Sequence, residues 1–184
     1  MQHTLVALVE DKPGVLNRVA SLFRRRAFNI ESLTVGHTDC PGVSRMTIVV
    51  DSNQTSAEQV MANLYKLVNT LQVSDLATTP SVQRDLALIK VRSEAATRTE
   101  IMQLVDVYRA RIVDVANDSM IVEITGVEDK IDSFVDVLKP FGVVEMVRTG
   151  IVAMARGSNA IPEFSMQAGS NGNGNGYHSQ EISF

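Results

Sequence analysis

Tryptophan is absent from this 184-residue chain, aromatic residues make up 5% of it, and cysteine occurs once, at Cys40. One cysteine cannot close an internal disulfide, so apolar cores must hold the fold, and a reducing, cytoplasmic setting is expected. No apolar run approaches the roughly 20 residues of a membrane-spanning helix, so a membrane role is not expected. The opening stretch MQHTLVALVEDKPG is too short and too acidic at its end for a signal peptide and is read as a first strand. Positive charge is not in surplus: 17 Lys and Arg stand against 21 Asp and Glu, a formal net charge of −4. RNA binding by a sheet face needs aromatics and basic surface, and nucleic acid is therefore not an expected partner.

What remains is ordinary globular material, 45% hydrophobic and 21% charged, long enough for one medium domain or two small ones. Thr4 to Val9 is a short apolar run closed by Glu10-Asp11-Lys12-Pro13-Gly14, which predicts a buried strand and a turn. Val15, Leu16, Val19, Ala20, Leu22, Phe23 and Ala27 then recur at helical spacing, and Arg24 to Arg26 complement the negative end of that helix dipole. Strands are predicted over Phe28–Val35, Val43–Asp51 and Thr70–Leu76. A helix between the last two starts at a capping box formed by Thr55 and Glu58. The order β-α-β-β-α-β is the split βαβ, or ferredoxin-like, arrangement.

The polar stretch Ala77 to Arg84 reads as a linker, after which the pattern repeats. Leu86–Val91 is a strand, Ile101, Leu104, Val105 and Tyr108 mark a helix, and Ile112–Val115 and Met120–Ile124 are strands. Ile131, Phe134, Val135 and Leu138 mark a helix stopped by Lys139-Pro140-Phe141-Gly142, and Val143–Val152 is one last long strand. The expected class is α+β: two consecutive βαββαβ domains at 1–77 and 85–157, a linker at 78–84, and a tail at 158–184. That tail is Gly/Asn-rich and expected to be disordered.

The usual parts of an enzyme are missing. Cys40 has no base positioned for it by the sequence, because His37 is merely three residues away in a turn. His3, His37 and His178 share no metal-ligand spacing, and Glu10 and Asp11 point to opposite faces if extended. Neither a phosphate loop nor Gly-x-Gly-x-x-Gly occurs. No catalytic residue, metal site or cofactor is expected on this chain.

Chemistry is legible at Asp11 to Leu16. Pro13 suits a helix start, and Gly14 lets a ligand approach the backbone. The amides of Gly14, Val15 and Leu16, with the positive end of the helix dipole, make a place for a carboxylate. Asn29 and Asp11 offer oxygens to an ammonium, and Leu16 and Ile30 offer apolar walls, so a small amino acid is the expected ligand. A Pro-Gly turn before a helix and a turn asparagine are also commonplace structure, and geometry of this kind does not choose between the two readings.

The stretch VEDKPGVLNRVASLF resembles the first strand-turn-helix of ACT domains, which bind amino acids between two copies. Asn29-Ile30-Glu31-Ser32-Leu33-Thr34-Val35 and Ser44-Arg45-Met46-Thr47-Ile48 are similar more narrowly to the small regulatory subunits of acetohydroxyacid (acetolactate) synthase. So are Lys66-Leu67-Val68, Arg84-Asp85-Leu86-Ala87-Leu88-Ile89-Lys90-Val91 and the run Arg148 to Gly157. The resemblance implies an N-terminal ACT domain, a C-terminal ACT-like domain, and a homodimer formed through the former. It implies a separate catalytic large subunit carrying thiamine diphosphate, a divalent metal and often a flavin. It also implies that this chain activates that subunit and confers feedback inhibition by valine or a related branched-chain amino acid. Effector contacts map onto Asp11, Gly14, Val15, Asn29 and Ile30, the last two from the neighbouring protomer; Leu16 is added from the helix-start geometry. Position 11 is often asparagine in the family, so Asp11 either helps to bind the ammonium or repels the carboxylate. The alternative expectation is an ACT-domain sensor acting on another enzyme or a transcription factor.

Overall fold

The structure, a computed structural model, describes residues 2–51 and 56–157. Two split βαβ units follow one another. The first consists of β1 (Gln2–Glu10), α1 (Val15–Arg26), β2 (Ile30–His37), β3 (Val43–Asp51), α2 (Ala57–Leu64) and β4 (Thr70–Asp75). The second consists of β5 (Ser81–Arg92), α3 (Arg98–Val107), β6 (Arg111–Val115), β7 (Ser119–Gly126), α4 (Glu128–Leu138) and β8 (Val143–Arg148), with β9 (Val152–Ala155) appended. The sheets run β2-β3-β1-β4 and β6-β7-β5-β8, antiparallel at every junction. The predicted α+β class and the two-fold repeat of the pattern hold.

Period-two alternation builds each core. On β1, Leu5, Ala7 and Val9 face the helices and meet Val15, Val19, Leu22 and Phe23 of α1, while Met46, Ile48 and Val50 extend that layer on β3. In the second unit Ala87, Ile89 and Val91 meet Ile101, Val105, Ile131, Phe134 and Leu138. Each fully buried side chain of this size contributes about 1.5–3 kcal/mol, enough for two small cores to stand without cross-links. Helix α1 ends at Ala27, which adopts φ +54° and donates its N–H to the carbonyls of Arg24 and Phe23; the Phe28 N–H also bonds Phe23 O at 3.0 Å.

Several expectations are corrected. Leu16, grouped with the dry face of α1, is 47% exposed, while Val15 beside it is the residue of that turn that enters the core. The start of β2 moves from Phe28 to Ile30, as the left-handed Ala27 must first turn the chain. Helix α2 is capped by Ser56, whose Oγ accepts the Gln59 N–H at 3.3 Å. Thr55, expected to cap it, and the tail 158–184 lie outside the described residues. From Ser81 the expected linker is already strand, since Ser81–Arg84 pair with Val152–Ala155.

The predicted long strand Val143–Val152 is two strands broken at Thr149-Gly150-Ile151. Both strands pair with β5, β8 along Ala87–Val91 and β9 along Ser81–Arg84, and the break between them lays the chain against the first unit. The Ile151 N–H donates to Ser32 Oγ at 3.0 Å, Arg45 Nη2 donates to Ala153 O at 2.6 Å, and Ala153 packs with Val6 and Leu76. Ser32, Thr34, Arg45 and Val6 all stand on the face of the first sheet that turns away from its helices. That face is therefore part-covered by the second unit.

Glycine is required at position 150. A Cβ there would lie 2.6 Å from Ser32 Oγ, 2.5 Å from Thr34 Oγ1 and 3.1 Å from the Leu33 carbonyl. Gly150→Ala is expected to destabilise the chain by about 1–3 kcal/mol, the usual cost of forcing an extra methyl into a filled contact. Urea unfolding of the full chain measures it, and an unchanged midpoint would mean that the crossing segment does not hold the two units together.

Candidate functional site

The turn from β1 to α1 is fixed from both sides. Its backbone is tied down where the Asp11 N–H donates to Gly42 O at 2.8 Å and the Glu10 N–H to Asn69 O at 2.9 Å. Below it runs a chain of side chains: Lys12 Nζ to Glu10 at 3.1 Å, Asn69 Nδ2 to the other Glu10 oxygen, and Arg18 Nη1 to Asn69 Oδ1 at 2.7 Å. The hydrogen bond from Asn69, then that from Lys12, hold the Glu10 carboxyl below the usual carboxylate range.

Gly14 starts α1 in the left-handed region, at φ +85°, with no side-chain cap, and a Cβ built there meets nothing within 4 Å. The Val15 N–H turns back to Lys12 O at 3.3 Å, a long bond that departs from the expectation of a free amide. Among the described residues, the amides of Gly14, Leu16 and Asn17 have no acceptor. They open to solvent at the positive end of the helix. Leu16 lies beside them with its apolar surface half exposed. This corner can receive an anion and an aliphatic group together.

Asp11 is not alone there. His37, the last residue of β2, places Nδ1 at 3.2 Å from Asp11 Oδ2. Sequence reading attached no chemistry to His37, since the pairing depends on strand order and not on spacing along the chain. Cys40 sits in the β2–β3 turn, its N–H donating to Thr38 Oγ1 at 3.1 Å. No group of three His, Cys, Asp or Glu side chains converges on a metal position among the described residues.

Asn29 and Ile30 are elsewhere. Ile30 pairs with Val50, which pairs with His3, so the start of β2 lies at the far end of β1 from Glu10. At about 3.3 Å per residue the two groups are roughly 23 Å apart in one chain. Asn29 is exposed and its Nδ2 donates to Glu31 Oε1. Within a single copy, Asp11, Gly14, Val15 and Leu16 form one group, and Asn29 and Ile30 another.

Two ferredoxin-like units in tandem, the first with an open glycine-started helix corner and a free edge at β2, define a two-domain protein of the ACT type. A family model described as "AHAS small subunit-like ACT domain" matches residues 5–72, and one described as "Small subunit of acetolactate synthase" matches residues 84–157. The chain belongs to the acetolactate synthase small-subunit family. It is 54% identical over 158 residues to a probable acetolactate synthase small subunit of Archaeoglobus fulgidus, covering 86% of this chain and 99% of that one. It is 52% identical over 159 residues to the acetolactate synthase small subunit of Mycobacterium leprae, covering 86% and 94%. The crystal structure of the small subunit from Thermotoga maritima superposes with a TM-score of 0.79 at 43% identity, covering 85% of this chain and 98% of that one.

The Glu10–Asn69 bond sets a pH dependence. A carboxyl held below its ordinary value in the folded state stabilises the turn fully above the unfolded-state value, and that contribution is lost as pH falls through the folded-state value. Asn69→Ala is expected to bring the Glu10 titration back up toward the ordinary range, followed by carbon-detected NMR of the side-chain carboxyl. An unmoved titration would show that Asn69 does not hold Glu10.

Proposed function

We propose that this chain is a non-catalytic regulatory subunit, and that its effector site is completed by a second copy of itself. The supporting observation is the split of the site residues between the two ends of β2, a strand with one edge open. Antiparallel pairing of two β2 edges about a two-fold axis sets the start of one β2 against the end of the other. Asn29 and Ile30 of one copy then meet the corner of Asp11, Gly14, Leu16 and His37 in its neighbour.

The ligand that suits this arrangement is valine or a related branched-chain amino acid. Its carboxylate takes the amides of Gly14, Leu16 and Asn17, and its ammonium takes the Asp11 carboxylate and the Asn29 side-chain oxygen. Its alkyl group lies between Leu16 and Ile30. His37 Nδ1, at 3.2 Å from Asp11 Oδ2, flanks the ammonium position and helps to fix the Asp11 side chain. One methylene changes affinity by about 1–3 kcal/mol, so leucine and isoleucine bind more weakly without being rejected. Because two copies share each ligand, binding favours one arrangement of the pair, and a coupling of about 1–3 kcal/mol carries that preference to the partner. The partner is the catalytic large subunit, which holds thiamine diphosphate, a divalent metal and, where present, flavin; this chain activates it and makes it sensitive to valine.

Two variants test the reading. Gly14→Asp puts a carboxylate into the anion position, with open space around its Cβ although the φ of +85° strains any side chain, and Asn29→Ala removes the second copy's acceptor. Each variant alone is expected to lose saturable valine binding in calorimetry. Mixed one to one and allowed to exchange, they regain about a quarter of the parental sites, because half the dimers are mixed and each has one intact site. A mixture that stays inert would show that one chain supplies the whole site. Full valine inhibition of a holoenzyme reconstituted with Gly14→Asp would place the site elsewhere.

A further inference from the structure

Strand β2 reaches both corners of the effector site, and its face away from the helices carries the crossing segment. The register between β2 and β3 shifts between Ile30 and Ser32, which leaves Glu31 outside the ladder. Beyond that bulge Ser32 and Thr34 stand two residues apart on one face, and both hydroxyls lie over Gly150. A Cβ built on Gly150 is 2.6 Å from Ser32 Oγ and 2.5 Å from Thr34 Oγ1, so the two oxygens are almost equally near the glycine.

The two hydroxyls are not used alike. Ser32 Oγ accepts the Ile151 N–H at 3.0 Å, while Thr34 Oγ1 is buried and has no hydrogen-bond partner among the described residues. A valine would fill the same space without leaving a buried polar atom unpaired. Thr34 is thus a second acceptor beside a donor that already has one. Farther along the segment Arg45 Nη2 donates to Ala153 O at 2.6 Å, through a side chain long enough to follow a small displacement of that carbonyl. On either side of the contact β8 pairs with Ala87–Val91 and β9 with Ser81–Arg84. A shift of Gly150 and Ile151 is therefore passed to β5, an inner strand of the second sheet.

We propose that the crossing segment is a two-position relay. The Ile151 N–H sits on Ser32 Oγ in one arrangement and on Thr34 Oγ1 in the other, and the effector bound at the ends of β2 selects between them. Ligands hold Ile30 at one end of β2 and, through Asp11, His37 at the other, so they bear on the strand that carries both hydroxyls. A ligand with unequal affinity for the two arrangements shifts their populations by that difference. Ser32, Thr34 and Gly150 touch no effector; they position β5 in response to it. The relay rests on the valine reading and gives it a route from the first unit to the second.

The full-length parent, Ser32→Ala and Thr34→Val are titrated with valine by calorimetry, and backbone amides are followed by NMR. In the parent, saturating valine is expected to move the Ile151 amide together with those of residues 81–84 in β5. Ser32→Ala removes the acceptor of one arrangement and Thr34→Val that of the other. The valine Kd is therefore expected to shift in opposite directions in the two variants, each by about 3-fold or more. Damage to the fold alone would weaken binding in both. Thr34→Ser, which keeps the hydroxyl, is expected to bind as the parent does. Valine binding to the parent with an unmoved Ile151 amide, or shifts in Kd that share a sign or are absent, would overturn the relay and leave the effector site standing. No valine binding by the parent would overturn the site and the relay together. The parental titration decides the matter even where a variant fails to fold.

Discussion

In the first unit β3 lies between β1 and β2, so β2 runs parallel to β1 and keeps one edge open. Open edges are places where a second chain adds with regular hydrogen bonds. Because β2 spans the sheet, its start and its end stand at opposite corners, and residues that complement one another chemically are held apart in one copy. Asp11 and Gly14 belong to one corner and Asn29 to the other. The same strand order sets His37 against Asp11, although 26 residues separate them in sequence.

A second constraint acts on the opposite face of that sheet. Thr149-Gly150-Ile151 interrupts the pairing along β5 and brings the chain against Ser32, Thr34 and Arg45. The covered face therefore belongs to the strand that also carries Ile30 and His37. The two cores remain distinct, and a small third cluster of Val6, Leu76 and Ala153 joins them.

Much of this was legible because it is local. Val15, Val19, Leu22 and Phe23 repeat every three or four residues, and any chain with that spacing makes a one-sided helix. Pro13-Gly14 marks a helix start from sequence alone, and the structure adds that Gly14 has a φ of +85°, a conformation that a side chain would strain. Where periodicity was misread, the cause was nonlocal. Val143 to Val152 is apolar enough to be one strand, and nothing nearby in sequence shows that Gly150 is pressed against Ser32 and Thr34. Ser81 to Arg84 look like linker because their partners, Val152–Ala155, come about 70 residues later. Leu16 matched the helical repeat, yet in that turn only Val15 enters the core and Leu16 stays half exposed.

The sequence by itself determined the two helix–strand repeats, the glycine corner and the family to which the chain belongs, since each rests on neighbouring residues or on stretches matched one position at a time. Only the tertiary structure decided which of the site residues meet, that His37 stands beside Asp11, that the last strand breaks to bind the first sheet, and that Ser32 and Thr34 lie over one glycine. Those facts depend on strand order and on contacts between distant segments. Backbone pairing and packing fix such contacts only once both units have folded.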